Sequence, residues 1–346
     1  MCAGEASGDR LGAQLVKHLR ASYDLEVAGL AGPLMRHAGV RAVVNAEDAT
    51  AFGLVEVVGQ LPRLMRVERQ LSAEIRTWKP DVVLTIDSPG LLLRVGRRAK
   101  AHGLPVIHWV CPQVWAWRPG RVDRMAASMH TLMCLLPFEA PLFDHTDVDA
   151  IFVGHPAADR ETVEPPERLT FCLAPGSRPG EVRRLWPVCR RIAQRLRVRY
   201  PHCRFVVPVA PGVRRVDLGG LDVEFTDGLV GAHAAVVASG TATLELATLG
   251  VPMVVIYQVH PLTWSIGRRL VTGVDHVALP NIIARRRIVP EVLQDLNPGQ
   301  IADEMSALIG ESGQRQRSEL ASIAQTLNGA GAISRAGQIV ASHLRR

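Results

Sequence analysis

The chain has 346 residues, with 40 lysines and arginines against 33 acids and a formal net charge of +7. At 47% hydrophobic and 21% charged residues it has the composition of a packed protein, not a disordered one, and its length suits two domains better than one core. It contains no apolar run of the roughly eighteen residues a membrane span needs and no basic-then-apolar leader, so the expectation is a cytosolic chain.

A basic excess favours acidic partners: phosphorylated ligands, an anionic membrane surface or nucleic acid. The arginines are dispersed, aromatics make up only 5%, and no RNP, zinc-finger or basic-arm pattern occurs, which speaks against nucleic acid. Six cysteines (Cys2, Cys111, Cys134, Cys172, Cys189 and Cys203) are scattered among apolar neighbours without a CxxC pair. They read as reduced packing residues, with no disulfide framework and no zinc site.

The chain opens on AGEASGD, which packs Gly4, Glu5, Ser7, Gly8 and Asp9 into a strand end, a glycine turn and the start of the helix RLGAQLVKHL. GEASG is not the GxGxxG of a dinucleotide-binding turn, which disfavours a dehydrogenase. Apolar runs then alternate with helical patterns: LEVAGL (25–30), DVVLTID (81–87), LPVIHWV (104–110), LTFCLAP (169–175), RFVVPVA (204–210), AAVVAS (234–239) and VPMVVIY (251–257). Continuous apolar runs separated by helices predict parallel strands covered on both faces, an α/β, doubly wound architecture.

Between the first two of these strands, a helix starting near Pro62 carries Leu64, Val67, Leu71 and Ile75 on one face and Arg63, Arg66 and Arg69 on another. That pattern suits a basic amphipathic helix lying on anionic lipid, or an ordinary helix covering a sheet. Asp87 closes the buried strand DVVLTID, at the end where doubly wound sheets place ligand-facing groups. It fits a general base for a sugar hydroxyl, or the N-cap of the helix after Pro89. In CPQVWAWRPGR, Trp115 and Trp117 are core residues or a sugar platform rimmed by Arg118 and Arg121. The histidines show no metal-ligand spacing, and Asp147-Val148-Asp149, which mimics a sugar-transferase metal motif, stands directly before the strand IFVG. No metal or cofactor is expected.

The polar segment up to Arg168, stiffened by Pro165-Pro166, reads as a linker over residues 158–168. It divides the chain into an N-terminal domain (1–157) and a C-terminal domain (169–330) facing a cleft, followed by a terminal helix (331–346). In the second half, LAPGSRPG places Arg178 in a strand–turn–helix junction, either a surface residue or a cation for charge on a departing phosphate. ASGTATLE runs from a strand into Gly240 and a helix N-terminus, with Ser239, Thr241 and Thr243 as hydroxyl donors. Such a junction holds a diphosphate, or its hydroxyls merely cap the helix. Glu245 is a carboxylate on an otherwise apolar helix, placed to accept from the two hydroxyls of a ribose.

Taken in order, AGEASGD, FGLVEVVGQLPRL, IDSP, PQVWAWR, VGHP, PGSRxxE, ASGTATLE and LPNIIARRRIVPEVLQ closely resemble the lipid-A-disaccharide synthases over almost the whole chain. That family has the GT-B fold, two Rossmann-like doubly wound domains facing a cleft. The resemblance implies inverting transfer of 2,3-diacylglucosamine from its UDP-linked form to the 6-hydroxyl of 2,3-diacylglucosamine 1-phosphate, giving a β-1′,6 disaccharide and UDP without a required metal. It implies Asp87 and Arg178 as catalytic residues. The donor side then comprises Gly176, Ser177, Arg178, Ser239, Gly240, Thr241, Ala242, Thr243 and Glu245, with Asn281, Glu291 and Gln294 added by the family match. The acceptor side comprises Gly4, Glu5, Ser7, Gly8, Asp9, Gln113, Trp115, Trp117 and Arg118. A peripheral position on the cytoplasmic face of the inner membrane is implied by the acylated substrates; a homodimer is left open, as is a non-catalytic or divergent GT-B homologue binding a UDP-sugar.

Two departures from the family pattern stand out. Relatives usually read IDxPDFN, whereas IDSPGLLL keeps Asp87 but has Gly90 and Leu92 in place of the later Asp and Asn. Relatives also carry further apolar residues before AGEASGD, so the first strand is expected to be missing or clipped, or to begin upstream.

Overall fold

The computed structural model describes residues 1–49, 54–115, 119–209, 219–259 and 275–345, with side chains described for these except 49, 54–61 and 119. Two compact units emerge: Met1–His155 together with Gly331–Arg346, and Pro156–Ala330.

The first unit is built on strands β1 (Cys2–Ala3), β2 (Ala28–Ala31), β3 (Arg41–Asn45), β4 (Val83–Ile86), β5 (Val106–Trp109), β6 (Thr131–Cys134) and β7 (Asp149–Phe152). Their order is β3-β2-β1-β4-β5-β6-β7, and every pairing is parallel. The helices are α1 (Ala6–Arg20), α2 (Pro33–His37), α3 (Ala46–Ala49), α4 (Leu54–Trp78), α5 (Pro89–Ala101) and α6 (Val122–Ala126). The first strand is present as two residues, with Cys2 opposite both Leu30 and Thr85 and Ala3 opposite Ile86.

Alternate residues of the strands feed two cores. Val83, Val106 and Leu132 meet Val67, Leu71, Leu92 and Val95 on one face; Leu84, Ile107 and Met133 meet Leu15, Val16, Leu19 and Met35 on the other. This decides between the two readings of the basic helix over Pro62–Ile75. Val67, Leu71 and Ile75 are buried against the sheet with Leu64 beside them, so its apolar face is a sheet cover, not a lipid face. Arg63 pairs with Asp48 at 3.1 Å, and Arg66 and Arg69 are exposed.

The second unit is a sheet of β8 (Thr170–Ala174), β9 (Arg204–Pro208), β10 (Glu224–Thr226), β11 (Ala234–Ala238), β12 (Met253–Tyr257) and β13 (Glu291–Leu293). The order is β10-β9-β8-β11-β12-β13, again parallel throughout. Its helices are α7 (Pro179–Arg199), α8 (Ala242–Thr248), α9 (Leu279–Ala284), α10 (Pro298–Ala307) and α11 (Glu311–Thr326). α7 and α10 cover one face through Leu185, Ile192, Ile301 and Met305; α8 and α11 cover the other through Leu246, Ala247 and Leu320.

Residues 158–168, expected as a linker, are docked on the second unit. Arg160 donates to the Leu229 carbonyl (3.1 Å), the Thr162 hydroxyl to the Thr248 carbonyl (3.1 Å) and the Val163 amide to the Leu249 carbonyl (3.2 Å). The terminal helix, α12 (Ala332–Ala341), returns to the first unit. Its Ala336 and Val340 complete the α1 side of that core, and Arg335 donates to the Val153 carbonyl at 2.7 Å.

Candidate active site

In both sheets the chain leaves the middle in opposite directions. β1 leads outward to β2 and β3 while β4 leads the other way to β7; β8 leads to β9 and β10 while β11 leads to β13. Between β1 and β4, and between β8 and β11, the connections diverge and leave a crevice at the carboxyl ends of the strands, where doubly wound sheets bind ligands. The residues expected to do chemistry stand at these two points.

In the first unit Gly4 and Glu5 follow β1, and Asp87 and Ser88 follow β4. Asp87 and Ser88 both have positive φ, 55° and 48°, a conformation costing about 1–3 kcal/mol per non-glycine residue and concentrated at functional sites. The Asp87 carboxylate, half-buried, accepts its neighbour's amide at 2.8 Å. Ser88, not Asp87, is the N-cap of α5, and it makes no side-chain capping bond. Gly90 and Leu92 fall inside α5, Leu92 fully buried in the core, so they offer no polar group at the crevice.

Asp9 is placed differently from the other opening-loop residues. It lies inside α1, is 3% exposed, and accepts the amides of Leu34 (2.9 Å) and Met35 (3.0 Å), serving the orphan donors at the start of α2. Glu5 is the N-cap of α1 and half-buried, Ser7 is exposed and Gly8 is buried against Ala3 and Ile86. Gln113 is exposed; Trp115 packs edge-on against Phe138 and donates to Glu139 at 3.4 Å. Trp117 and Arg118 lie outside the described residues.

In the second unit, Gly176, Ser177 and Arg178 follow β8, and Ser239, Gly240 and Thr241 follow β11. Ser177, Arg178 and Thr241 are exposed, and Ala242 begins α8 half-buried. Gly240 has φ 155°, a region essentially closed to other residues, and open space stands where its β-carbon would be. Arg178 is the N-cap of the 21-residue α7, whose free amides favour negative charge.

Glu181, the last residue of PGSRxxE, belongs to the same junction. It sits at the third helical position, the site of a capping-box acid, and takes the Ser177 amide at 3.2 Å. Burial raises its pKa, against the opposing pull of Arg178 and the amides.

Several expected donor-side groups spend their polar atoms inside the unit. Thr243 is fully buried, with its hydroxyl on the Gly240 carbonyl at 2.7 Å; Ser239 donates to the Val277 carbonyl at 2.7 Å. Glu245 is not an isolated charge: its side chain is 22% exposed and paired with Arg160 at 3.1 Å, a partner 85 positions upstream by the residue numbers that no local pattern signals. Asn281 is fully buried with all four hydrogen-bonding positions filled, donating to the Val289 carbonyl and Glu291 and accepting from the amides of Ile288 and Val289. Glu291 also takes the Val277 and Ala278 amides ahead of α9. Gln294 pairs its side-chain amide with both backbone groups of Val259, at 2.8 and 3.2 Å. These three residues clasp the 277–294 segment behind the glycine turn.

The family model for lipid-A-disaccharide synthetase matches residues 1–342. The chain belongs to the lipid-A-disaccharide synthase family. It is 38% identical to the lipid-A-disaccharide synthase of Geobacter sulfurreducens over 98% of this chain and 95% of that one. With the protein of the same description from Alkalilimnicola ehrlichii it shares 41% over 90% and 89%. Membership makes it a glycosyltransferase, a hexosyltransferase acting in lipid A disaccharide synthesis. The fold agrees: the calicheamicin glycosyltransferase CalG4 matches with a TM-score of 0.63 at 15% identity over 99% of this chain and 96% of that one. A UDP-GlcNAc 2-epimerase from Neisseria meningitidis matches at 0.61 and 13%, over 97% and 96%. The two sheets are those of the GT-B architecture, and among the described residues no helix is long and apolar enough to cross a membrane.

Proposed function

We propose that the chain transfers 2,3-diacylglucosamine from UDP-2,3-diacylglucosamine to the 6-hydroxyl of 2,3-diacylglucosamine 1-phosphate. The 6-oxygen attacks the anomeric carbon, the bond from that carbon to the diphosphate breaks, and UDP departs with the electron pair. The acceptor's hydroxyl proton passes to Asp87, and attack opposite the leaving group gives the β-1′,6 linkage. The observation carrying this reading is the position of Asp87, held in a left-handed backbone turn at the switch point of the first sheet.

On the donor side, Gly176 to Arg178 and Ser239 to Ala242 flank the corresponding crevice of the second sheet, and Arg178 meets charge building on the departing diphosphate. Glu245 receives the ribose, with one oxygen already held by Arg160. Glu5, Ser7, Gln113 and Trp115 belong to the acceptor side. Because both substrates carry acyl chains, the enzyme works at the cytoplasmic face of the inner membrane, and the net charge of +7 suits an anionic surface.

The test is to supply both substrates in detergent and measure UDP release together with disaccharide. Asp87→Asn should lower the rate by about 10²–10⁴, the usual worth of a general base, while UDP binding persists. Undiminished turnover in that variant would remove Asp87 from the chemistry. Absence of product from the folded wild type with UDP still bound would favour a non-catalytic relative.

A further inference from the structure

The β5–β6 pairing gathers side chains that the sequence keeps apart. With Trp109 opposite Met133, Cys111 just beyond β5 meets Cys134 at the end of β6, and the turn after β6 folds Glu139 back onto both. The ligand atoms of these three residues lie within 4.8 Å of one another, and all three are buried, at 4%, 0% and 3% exposure. Among the described residues this is the single such group of three. All six cysteines are free and buried, as packing residues are, and two of them lie side by side.

Glu139 is oriented from behind. Its Oε2 accepts the amides of Leu135 (3.0 Å) and Leu136 (2.9 Å), leaving Oε1 with the long 3.4 Å contact from Trp115. A carboxylate fixed by backbone donors, with one oxygen lightly engaged beside two sulfurs, is how outer-shell bonds present a ligand to a metal. We propose that Cys111, Cys134 and Glu139 bind a thiophilic divalent cation of the zinc type, at a site separate from sugar transfer. Two sulfurs and one oxygen select such an ion over magnesium or calcium, and tetrahedral coordination leaves one place for solvent.

The charge balances. Each thiol loses its S–H bond and forms a sulfur–metal bond, the two protons pass to solvent, and no atom changes oxidation state. An ion of charge +2 replaces the two thiol protons, so with Glu139 ionised the buried site gains no net charge; a protonated Glu139 gives up its proton to solvent as well. The ion would tie the end of β5 to the end of β6 and fix the start of the loop carrying Gln113 and Trp115.

The probe is cobalt(II), added to the purified full chain after chelation and reduction with a phosphine. A sulfur-to-cobalt charge-transfer band in the near ultraviolet should saturate at one equivalent, with at least two protons released per ion, and zinc should bleach it. Cys111→Ser and Cys134→Ser should abolish the band, Glu139→Gln should weaken cobalt binding at least tenfold, and Cys203→Ser should leave it intact. Cys111 follows its strand instead of lying within it, so its variant keeps the experiment decisive where Cys134→Ser fails to fold. No charge-transfer band in the wild type, a band surviving in Cys111→Ser, or fewer than two protons released would overturn the site.

Discussion

Gly4 and Ser88 stand so close that a β-carbon on the glycine would lie 2.6 Å from the serine hydroxyl oxygen. The loops that end β1 and β4 are thus in contact at the position where a side chain is missing. Gly4→Ala should push Ser88, and Asp87 with it, out of the left-handed turn. Disaccharide formation should fall at least tenfold with only a small drop in melting temperature. Ser88→Gly in the same chain removes the obstructing atom and tolerates the positive φ, so the double variant should recover most of the rate. Equal activities of single and double variants would show that this contact does not set the position of Asp87.

Asp9 should behave as a structural acid. Asp9→Ala leaves the Leu34 and Met35 amides without their acceptor and should cost about 2 kcal/mol in urea unfolding. Asp9→Asn, which retains one acceptor oxygen, should cost less. The KM for either substrate should stay near the wild-type value.

Asn281→Asp keeps the shape of the side chain but replaces two donated bonds with a carboxylate facing the Val289 carbonyl and Glu291. A stability loss of about 3 kcal/mol is expected. Limited proteolysis should find the 277–294 segment opened before the rest of the second unit.

Stability should fall on acidification through two buried imidazoles. Burial holds His108 and His155 at about 4, against an ordinary value of 6.5. Between those pH values the unfolded chain binds protons that the folded chain refuses, so stability present above pH 6.5 is lost as the pH falls toward 4. Glu139, raised to about 7 by burial, works in the opposite direction over an overlapping range. Comparison with His108→Phe cancels that contribution, since Glu139 is common to both chains. The variant should lose less stability between pH 7 and pH 4.5 than the wild type, by on the order of 3 kcal/mol. Parallel curves would assign the acid sensitivity elsewhere.

The long apolar strands are legible in the sequence because burial on both faces leaves continuous runs: DVVLTID contains β4 and AAVVAS contains β11. β10 and β13, three residues each with a glutamate, carry too little periodicity to register. The junctions at Asp87, Arg178 and Gly240 are legible because a strand end, a special backbone and a helix start lie within a few residues. Partnerships set by tertiary packing are not: Arg160 with Glu245, Cys111 with Cys134, and the amides that occupy Asp9 lie 23 to 85 positions apart by their residue numbers. The donor-side pattern picks out the turns at Gly176 and Gly240 and also collects Thr243 and Asn281, whose polar atoms are bonded inside the unit.

The return of α12 to the first unit has a consequence for biosynthesis. A ribosome releases the α1 side of that unit early, but Ala336 and Val340, which cover it, are made only after the whole second unit. Throughout translation of the second unit, the nascent first unit carries an uncovered apolar strip on α1, a natural target for a chaperone. A fragment ending at His155 would inherit that strip permanently, whereas a circular permutant that places Gly331–Arg346 ahead of Met1 would close it before the second unit is begun.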